Sequence, residues 1–311
     1  MLSLPYRIYD VFTQTPLAGN PLAVVDGRGG VMIDDALMQT LAKEFNLSET
    51  VFLLPPDNPV HSARARIFTP DRELPFAGHP TVGAAVALAR EGIADGLGTG
   101  LVLIEEAIGL IRAAVSVEAD QDDRSGGFAE FDLVTKPVQK DWTPDKADIA
   151  FALGLEPAQI GFENHVPTDF NGGLPYFCVP LHDLDALNSV KPNGSLFAEL
   201  FAGGRGQDSV YMYTRDTVGA DSAFAARMMW PVGGVVREDP ATGSAVASFA
   251  GAVMLFDAPM EGTHRYIIEQ GFAMGRPSHI TLELEVDGPG ALTLARLGGH
   301  AVCVAEGTLT V

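Results

Sequence analysis

Gly78-His79-Pro80-Thr81-Val82-Gly83-Ala84-Ala85-Val86-Ala87 and Glu238-Asp239-Pro240-Ala241-Thr242-Gly243-Ser244-Ala245-Val246-Ala247 repeat one pattern, 160 residues apart. Each has a polar residue, then Pro, then Gly three residues on, then a run of small residues. Pro is favoured at the first position of a helix, where its missing N–H costs nothing. Each copy therefore reads as a loop turning into a buried, tightly packed helix. Free backbone N–H groups at two such helix starts suit an anion. The pattern predicts two halves of one duplicated design with a site between them.

Two weaker matches keep the same order. Glu49-Thr50-Val51-Phe52-Leu53 lines up with Asp208-Ser209-Val210-Tyr211-Met212, and Gly19-Asn20-Pro21-Leu22 with Gly173-Leu174-Pro175-Tyr176. Three pairings in order predict a pseudo-twofold chain. On that reading Asp208 is the counterpart of Glu49.

The rest of the chain reads as many short strands with one apolar helix in each half, an α+β fold. Strands are expected at 7–12, 22–25, 50–54, 63–68, 101–104, 110–117, 176–179, 209–213, 224–230, 265–269, 279–286, 300–305 and 308–311. Asp34 or Asp35 caps a helix presenting Leu37, Leu41 and Phe45 on one face. Thr143-Pro144 starts another, which Gly154 ends. The polar run Glu118-Ala119-Asp120-Gln121-Asp122-Asp123-Arg124-Ser125-Gly126-Gly127 reads as a loop. The expected domains are a first lobe at 1–119, completed by a C-terminal strand near 300–311, a linker at 120–127, and a second lobe at 128–299.

Composition narrows the function. The 311 residues exceed the usual size of one core, so two domains are expected. With 47% hydrophobic and 19% charged residues the chain is globular rather than disordered. A net charge of -20 argues against nucleic acid, which needs basic surface. An anionic substrate stays open, because a local nest of N–H groups overrides distant charge. Cys178 and Cys303 read as buried, reduced thiols. No Cys/His spacing points to a metal, and no glycine-rich fingerprint or phosphate loop points to a nucleotide cofactor. The N-terminus has no signal-peptide pattern, and the longest apolar helix is too short to span a bilayer. A cytoplasmic, membrane-free protein without cofactor or metal is expected.

Four side chains stand out chemically. His79 precedes the first helix, where local positive potential favours neutral imidazole. Asp239 reads as an N-cap before Pro240, a role compatible with facing a cleft. Glu49, flanked by an apolar strand, is placed for desolvation, which raises a carboxyl's pKa toward the range useful for acid/base work. Ser244, beside the N–H groups of Gly243 and its own, suits a substrate carboxylate. No base accompanies Ser244 and no nucleophile elbow is present, which excludes a serine hydrolase.

At these residues the chain resembles the PhzF family of phenazine biosynthesis-like isomerases. The resemblance covers nearly the whole length. It runs through Pro16-Leu17-Ala18-Gly19-Asn20-Pro21, Ser48-Glu49-Thr50-Val51-Phe52, Glu73-Leu74-Pro75-Phe76-Ala77-Gly78-His79-Pro80-Thr81, Glu238-Asp239-Pro240-Ala241-Thr242-Gly243-Ser244 and Gln270-Gly271-Phe272-Ala273-Met274-Gly275-Arg276-Pro277-Ser278. It implies a diaminopimelate-epimerase-like fold, in which two pseudo-symmetric lobes each wrap strands around a central helix. It implies cofactor-free isomerisation of a small unsaturated or amino carboxylic acid in a cleft between the lobes, and a homodimer. By resemblance Glu49 is the acid/base, His79 and Asp239 are catalytic partners, and Asn20, Gly78, Gly243 and Ser244 bind substrate. Related epimerases use a Cys at each helix start, and none stands here. One departure is Arg227-Met228-Met229-Trp230-Pro231, where the family has a Phe-containing segment, so Trp230 bears on specificity. An epimerase or lyase with Glu49 and Asp208 as opposed bases, and a non-catalytic metabolite binder, are the alternatives.

Overall fold

The computed structural model describes residues 2–30, 32–92, 98–118, 126–142, 144–202 and 208–311. The chain divides into one unit of Met1–Val134 with Leu297–Val311 and another of Thr135–Arg296.

In the first unit, β1 (Ser3–Val11) and β2 (Asn20–Asp26) are antiparallel. Helix α1 (Asp35–Phe45) connects β2 to β3 (Glu49–Leu54), which runs parallel to β2 with Leu22 opposite Glu49. The Asp34 side chain caps α1 by accepting the Leu37 N–H. β4 (Ala63–Phe68) is antiparallel to β3, and β5 (Glu73–Leu74) to β4. After α2 (Gly78–Gly92), β6 (Gly98–Glu106) pairs parallel to β4. β7 (Gly109–Glu118) and β8 (Gly126–Asp132) extend the layer antiparallel.

Alternation along the strands gives this layer two apolar faces. One meets α1, where Met38, Leu41 and Ala42 pack with Val25, Phe52, Leu54 and Phe68. The other meets α2. Small residues bring that helix close: a Cβ on Gly83 would sit 2.5 Å from Leu22 Cδ2.

The second unit begins with β9 (Val138–Lys140) and α3 (Lys146–Leu153). β10 (Thr168–Asn171) is antiparallel to both β9 and β11 (Pro175–Pro180). α4 (Leu184–Ser189) and α5 (Gly194–Ala202) lead to β12 (Val210–Thr214), which is parallel to β11. β13 (Phe224–Val232) and β14 (Val235–Asp239) follow antiparallel. After α6 (Gly243–Phe256), β15 (Gly262–Gln270) pairs parallel to β13, and β16 (Ser278–Val286) antiparallel to β15. Phe177, Val179, Val210 and Met212 face a core shared with α3, α4 and α5. The rings of Tyr211 and Tyr213 pack against Phe249 of α6, tilted and edge-on. Finally β17 (Leu292–Thr310) leaves this unit and joins the first, antiparallel to β1.

The duplication is therefore present in the topology. The run from β1 to β7 and the run from β10 to β16 share strand order, strand sense and the place of the central helix. Each unit is a strand layer around one buried helix, in an α+β fold.

Several expectations need correction. The two signature segments align by backbone register rather than by their prolines. Ile67 pairs with Leu74 as Met228 pairs with Asp239, and each central helix begins four residues later, at Gly78 and Gly243. The first helical bonds, Thr81 N–H to Ala77 and Val246 N–H to Thr242, keep that alignment. His79 thus matches Ser244, and Asp239 matches Leu74. Asp239 is not the N-cap of α6: it closes the β13–β14 ladder, and Thr242 holds the cap position. Pro240 precedes α6, and Pro80 is the third residue of α2, where an N–H has no intrahelical partner anyway. The same register, with Thr50 opposite Phe68 and Val210 opposite Met229, gives Glu49 the counterpart Ser209, not Asp208.

Elsewhere, Asp145 rather than Thr143-Pro144 caps α3, while Gly154 ends it in the left-handed conformation. Thr143 lies outside the described residues. So do residue 119 and 120–125 of the expected linker, and the units divide after Val134, because β8 pairs with β7. The strands expected at 300–305 and 308–311 are one strand: Gly307 makes no turn, and a Cβ there would meet the Tyr6 ring at 2.8 Å. Cys178 is buried, but Cys303 is only partly so.

Candidate functional site

In the first unit three expected residues meet. Asn20 opens β2 and Glu49 opens β3, and the parallel register sets Glu49 beside Leu22. His79 is the second residue of α2, with Gly78 the first. Asn20 Nδ2 lies 3.4 Å from His79 Nδ1. Glu49 Oε2 lies 3.5 Å from the same nitrogen. The His79 side chain is 3% exposed and the Glu49 side chain 16%.

His79 is neutral: burial pushes the imidazole down to about 3. A neutral imidazole carries one proton. Either Nδ1 accepts from Asn20 and the proton sits on Nε2, or Nδ1–H points to Glu49 and Nε2 is an acceptor. In both cases Nε2, which is buried and has no protein partner among the described residues, is left for something else. A buried polar atom without a partner costs about 1–3 kcal/mol.

In the second unit the α6 start is braced by residues that sequence reasoning passed over. Thr242 Oγ1 donates to Asp239 Oδ2 at 2.6 Å. Gln270 Nε2 donates to the Asp239 carbonyl at 2.9 Å, and the Thr242 N–H donates to Gln270 Oε1 at 3.1 Å. Gly271 follows with φ +80°, and a Cβ there would meet the Pro240 carbonyl oxygen at 2.5 Å. The Gln270-Gly271 pair is thus a support for Asp239-Pro240.

Gly243 and Ser244 are the first two residues of α6, and both are buried. Ser244 Oγ lies 2.7 Å from the Tyr176 hydroxyl. Tyr176 and Cys178 share a strand face, and Tyr211 sits opposite Cys178. The Tyr211 hydroxyl is buried without a partner among the described residues, and burial holds it well above the ordinary tyrosine range. The matching positions in the first unit are Leu22 and Val51, both apolar. Tyr176 stood inside the repeated segment, but only the register shows its hydroxyl reaching the helix. Trp230 lies opposite Arg237 as Met228 lies opposite Asp239, so Trp230 and Asp239 share a sheet face. Asp208 Oδ1 accepts from the hydroxyl of its neighbour Ser209 at 3.2 Å.

The sequence model of the phenazine biosynthesis-like proteins, PhzC-PhzF, matches residues 9–307. The chain belongs to the PhzF family. It is 51% identical to an uncharacterized isomerase of Mesorhizobium japonicum, over 98% of each chain. It is 31% identical to the trans-2,3-dihydro-3-hydroxyanthranilate isomerase of Pseudomonas fluorescens, over 98% of this chain and 99% of that one. A PhzF-family protein of Bacillus anthracis superimposes over 100% of both chains with a TM-score of 0.84 at 24% identity, a likeness of fold. The fold is the diaminopimelate-epimerase-like one that the family resemblance implies. Among the described residues no helix is long and apolar enough to cross a membrane.

Proposed function

We propose that this chain is a cofactor-independent isomerase that moves a proton on a small unsaturated carboxylic acid. Glu49 is the acid/base. His79, neutral, offers Nε2 to a polar atom of the substrate and keeps Nδ1 toward Asn20 and Glu49. Ser244 and the N–H groups of Gly243 and Ser244 at the α6 start hold the carboxylate, with Asn20, Gly78 and Asp239 completing the contacts. The observation that carries the reading is the convergence of Glu49 and a neutral, buried His79 whose second nitrogen has no partner among the described residues. The relatives' isomerase names agree with it.

The name of the Pseudomonas fluorescens relative suggests where to start. A cyclic dihydro acid with amino or hydroxyl substituents, such as trans-2,3-dihydro-3-hydroxyanthranilate, is the first compound to try. In deuterated water the wild type should place solvent deuterium on a ring carbon of the product. One positioned proton-transfer group contributes about 10²–10⁴-fold, so Glu49→Gln should lose that much turnover. Full turnover by Glu49→Gln on an accepted substrate would falsify the assignment. The two-base epimerase alternative loses its symmetry argument, since Ser209 matches Glu49.

A further inference from the structure

Glu106 is a buried carboxyl group at the end of β6, and the chemistry above does not use it. Its Oε1 lies 2.7 Å from Thr81 Oγ1. The same Thr81 oxygen lies 2.8 Å from the Ala77 carbonyl. A threonine hydroxyl has one proton to give. If Thr81 donates to Ala77, which cannot donate in return, the contact with Glu106 needs a proton from Glu106. A neutral Glu106 satisfies both contacts at once, and a carboxylate satisfies only one.

The surroundings agree with the neutral form. Oε2 of Glu106 is buried with no partner among the described residues. A cavity of about 300 Å³ beside it is lined by Asp57, Arg64, Arg66, Glu73 and Glu105. Arg66 pairs with Glu73 and Asp35, and Arg64 pairs with Asp57 through Nη1, while Arg64 Nε is buried without a partner among the described residues; neither guanidinium acts on the Glu106 carboxyl. Glu105 is held by His61 and by the N–H groups of Asp57 and Asn58. On α2 the adjacent titratable group, His79, is neutral. Burial pushes the Glu106 carboxyl up to about 8 against the opposing pull of Thr81.

We propose that Glu106 is a positioning residue: as a neutral acid it donates to Thr81, Thr81 donates to the Ala77 carbonyl, and this chain fixes the α2 start that carries Gly78 and His79. The adjoining turn adds a second tie, with the Ile108 N–H donating to the Pro75 carbonyl. Ionisation of Glu106 turns the Thr81 proton toward the carboxylate and releases Ala77. The consequence for activity rests on the reading that His79 serves the substrate. The chain of donors does not.

The test needs no substrate. Backbone amide resonances of Gly78, His79 and Thr81 in the full chain are followed from pH 6 to 10. In the wild type they should shift together with a midpoint near 8. Glu106→Gln keeps a donor and cannot ionise, so the shift should vanish. Thr81→Val removes the bridge, so Glu106 should no longer move the Gly78 and His79 signals. No shift in the wild type, or the same shift in Glu106→Gln, overturns the proposal. Glu49→Gln separates the two readings. If turnover depends on Glu49 but the amides do not titrate, only the positioning chain is wrong. If the amides titrate but turnover ignores Glu49, only the catalytic reading is wrong.

Discussion

The Tyr176 hydroxyl lies 2.7 Å from Ser244 Oγ, at the second residue of α6. The matching pair in the first unit is Leu22 and His79, and no such bond exists there. The duplicated halves have been given different chemistry at the same backbone position. In one, His79 meets Asn20 and Glu49. In the other, Ser244 meets a tyrosine. If Tyr176 donates to Ser244, the Ser244 proton is left for another acceptor. A hydrogen bond of this kind is worth about 1 kcal/mol, or about 5-fold in binding. Tyr176→Phe keeps the ring and removes the hydroxyl. It should raise KM by about that factor and leave kcat within about 2-fold. Tyr176→Phe in a Ser244→Ala background should add little, because residues in contact are non-additive. Fully additive effects on KM would show that the two hydroxyls act separately.

Gln270 carries the α6 start through its amide. It bonds the Asp239 carbonyl, the Thr242 N–H and, at 3.0 Å, Thr242 Oγ1. Gln270 is 1% exposed, so water cannot replace these partners. Gln270→Ala should therefore cost about 1–3 kcal/mol, the range for a buried group left unpaired. Chemical denaturation measures this directly. A loss below about 0.5 kcal/mol, the usual size of a surface substitution, would mean that the brace is dispensable.

Gly83 tests the close approach of α2 to the strands. A Cβ there would meet Leu22 Cδ2 at 2.5 Å and Val11 Cγ2 at 3.0 Å. Overpacking of this kind costs about 1–3 kcal/mol. Gly83→Ala should destabilise by that amount. Leu22→Ala opens the space, so the double variant should be more stable than the sum of the two single losses. Strict additivity would show that the strain lies elsewhere.

The sequence exposed the duplication because two runs of small residues must each bury a helix against strands, and few folds demand that twice. It misplaced the alignment because Pro80 and Pro240 look equivalent. Pro80 lies within the first turn of α2, while Pro240 lies between β14 and α6. Proline marks the approach to a helix more reliably than its first residue. The Asp239 cap failed for the same reason: a strand ladder claimed that residue before the helix began. Glu49, His79 and Asn20, each named from a motif, are brought together within the first unit. Tyr176, Gln270 and Glu106 were not legible. Each acts through a hydroxyl, amide or carboxyl whose partner is distant in sequence, and pattern reading sees a strand residue there.

His79 makes a prediction about acid. Its folded value, about 3, is depressed below the ordinary 6.5 because the buried ring resists charging. The unfolded chain takes up a proton near 6.5 and the folded chain does not. Stability is therefore lost as pH falls below about 6.5, by up to about 1.4 kcal/mol per pH unit for this group. Above 6.5 the contribution is flat. His79→Gln keeps a polar side chain and removes the titration, so its stability should fall less than the wild type's between pH 6.5 and 5. Imidazole NMR supplies the direct check: the His79 ring should show no titration between pH 5 and 8. A midpoint near 6.5 would mean that the ring is solvated, and the unpartnered Nε2 would then lose its significance as a substrate contact.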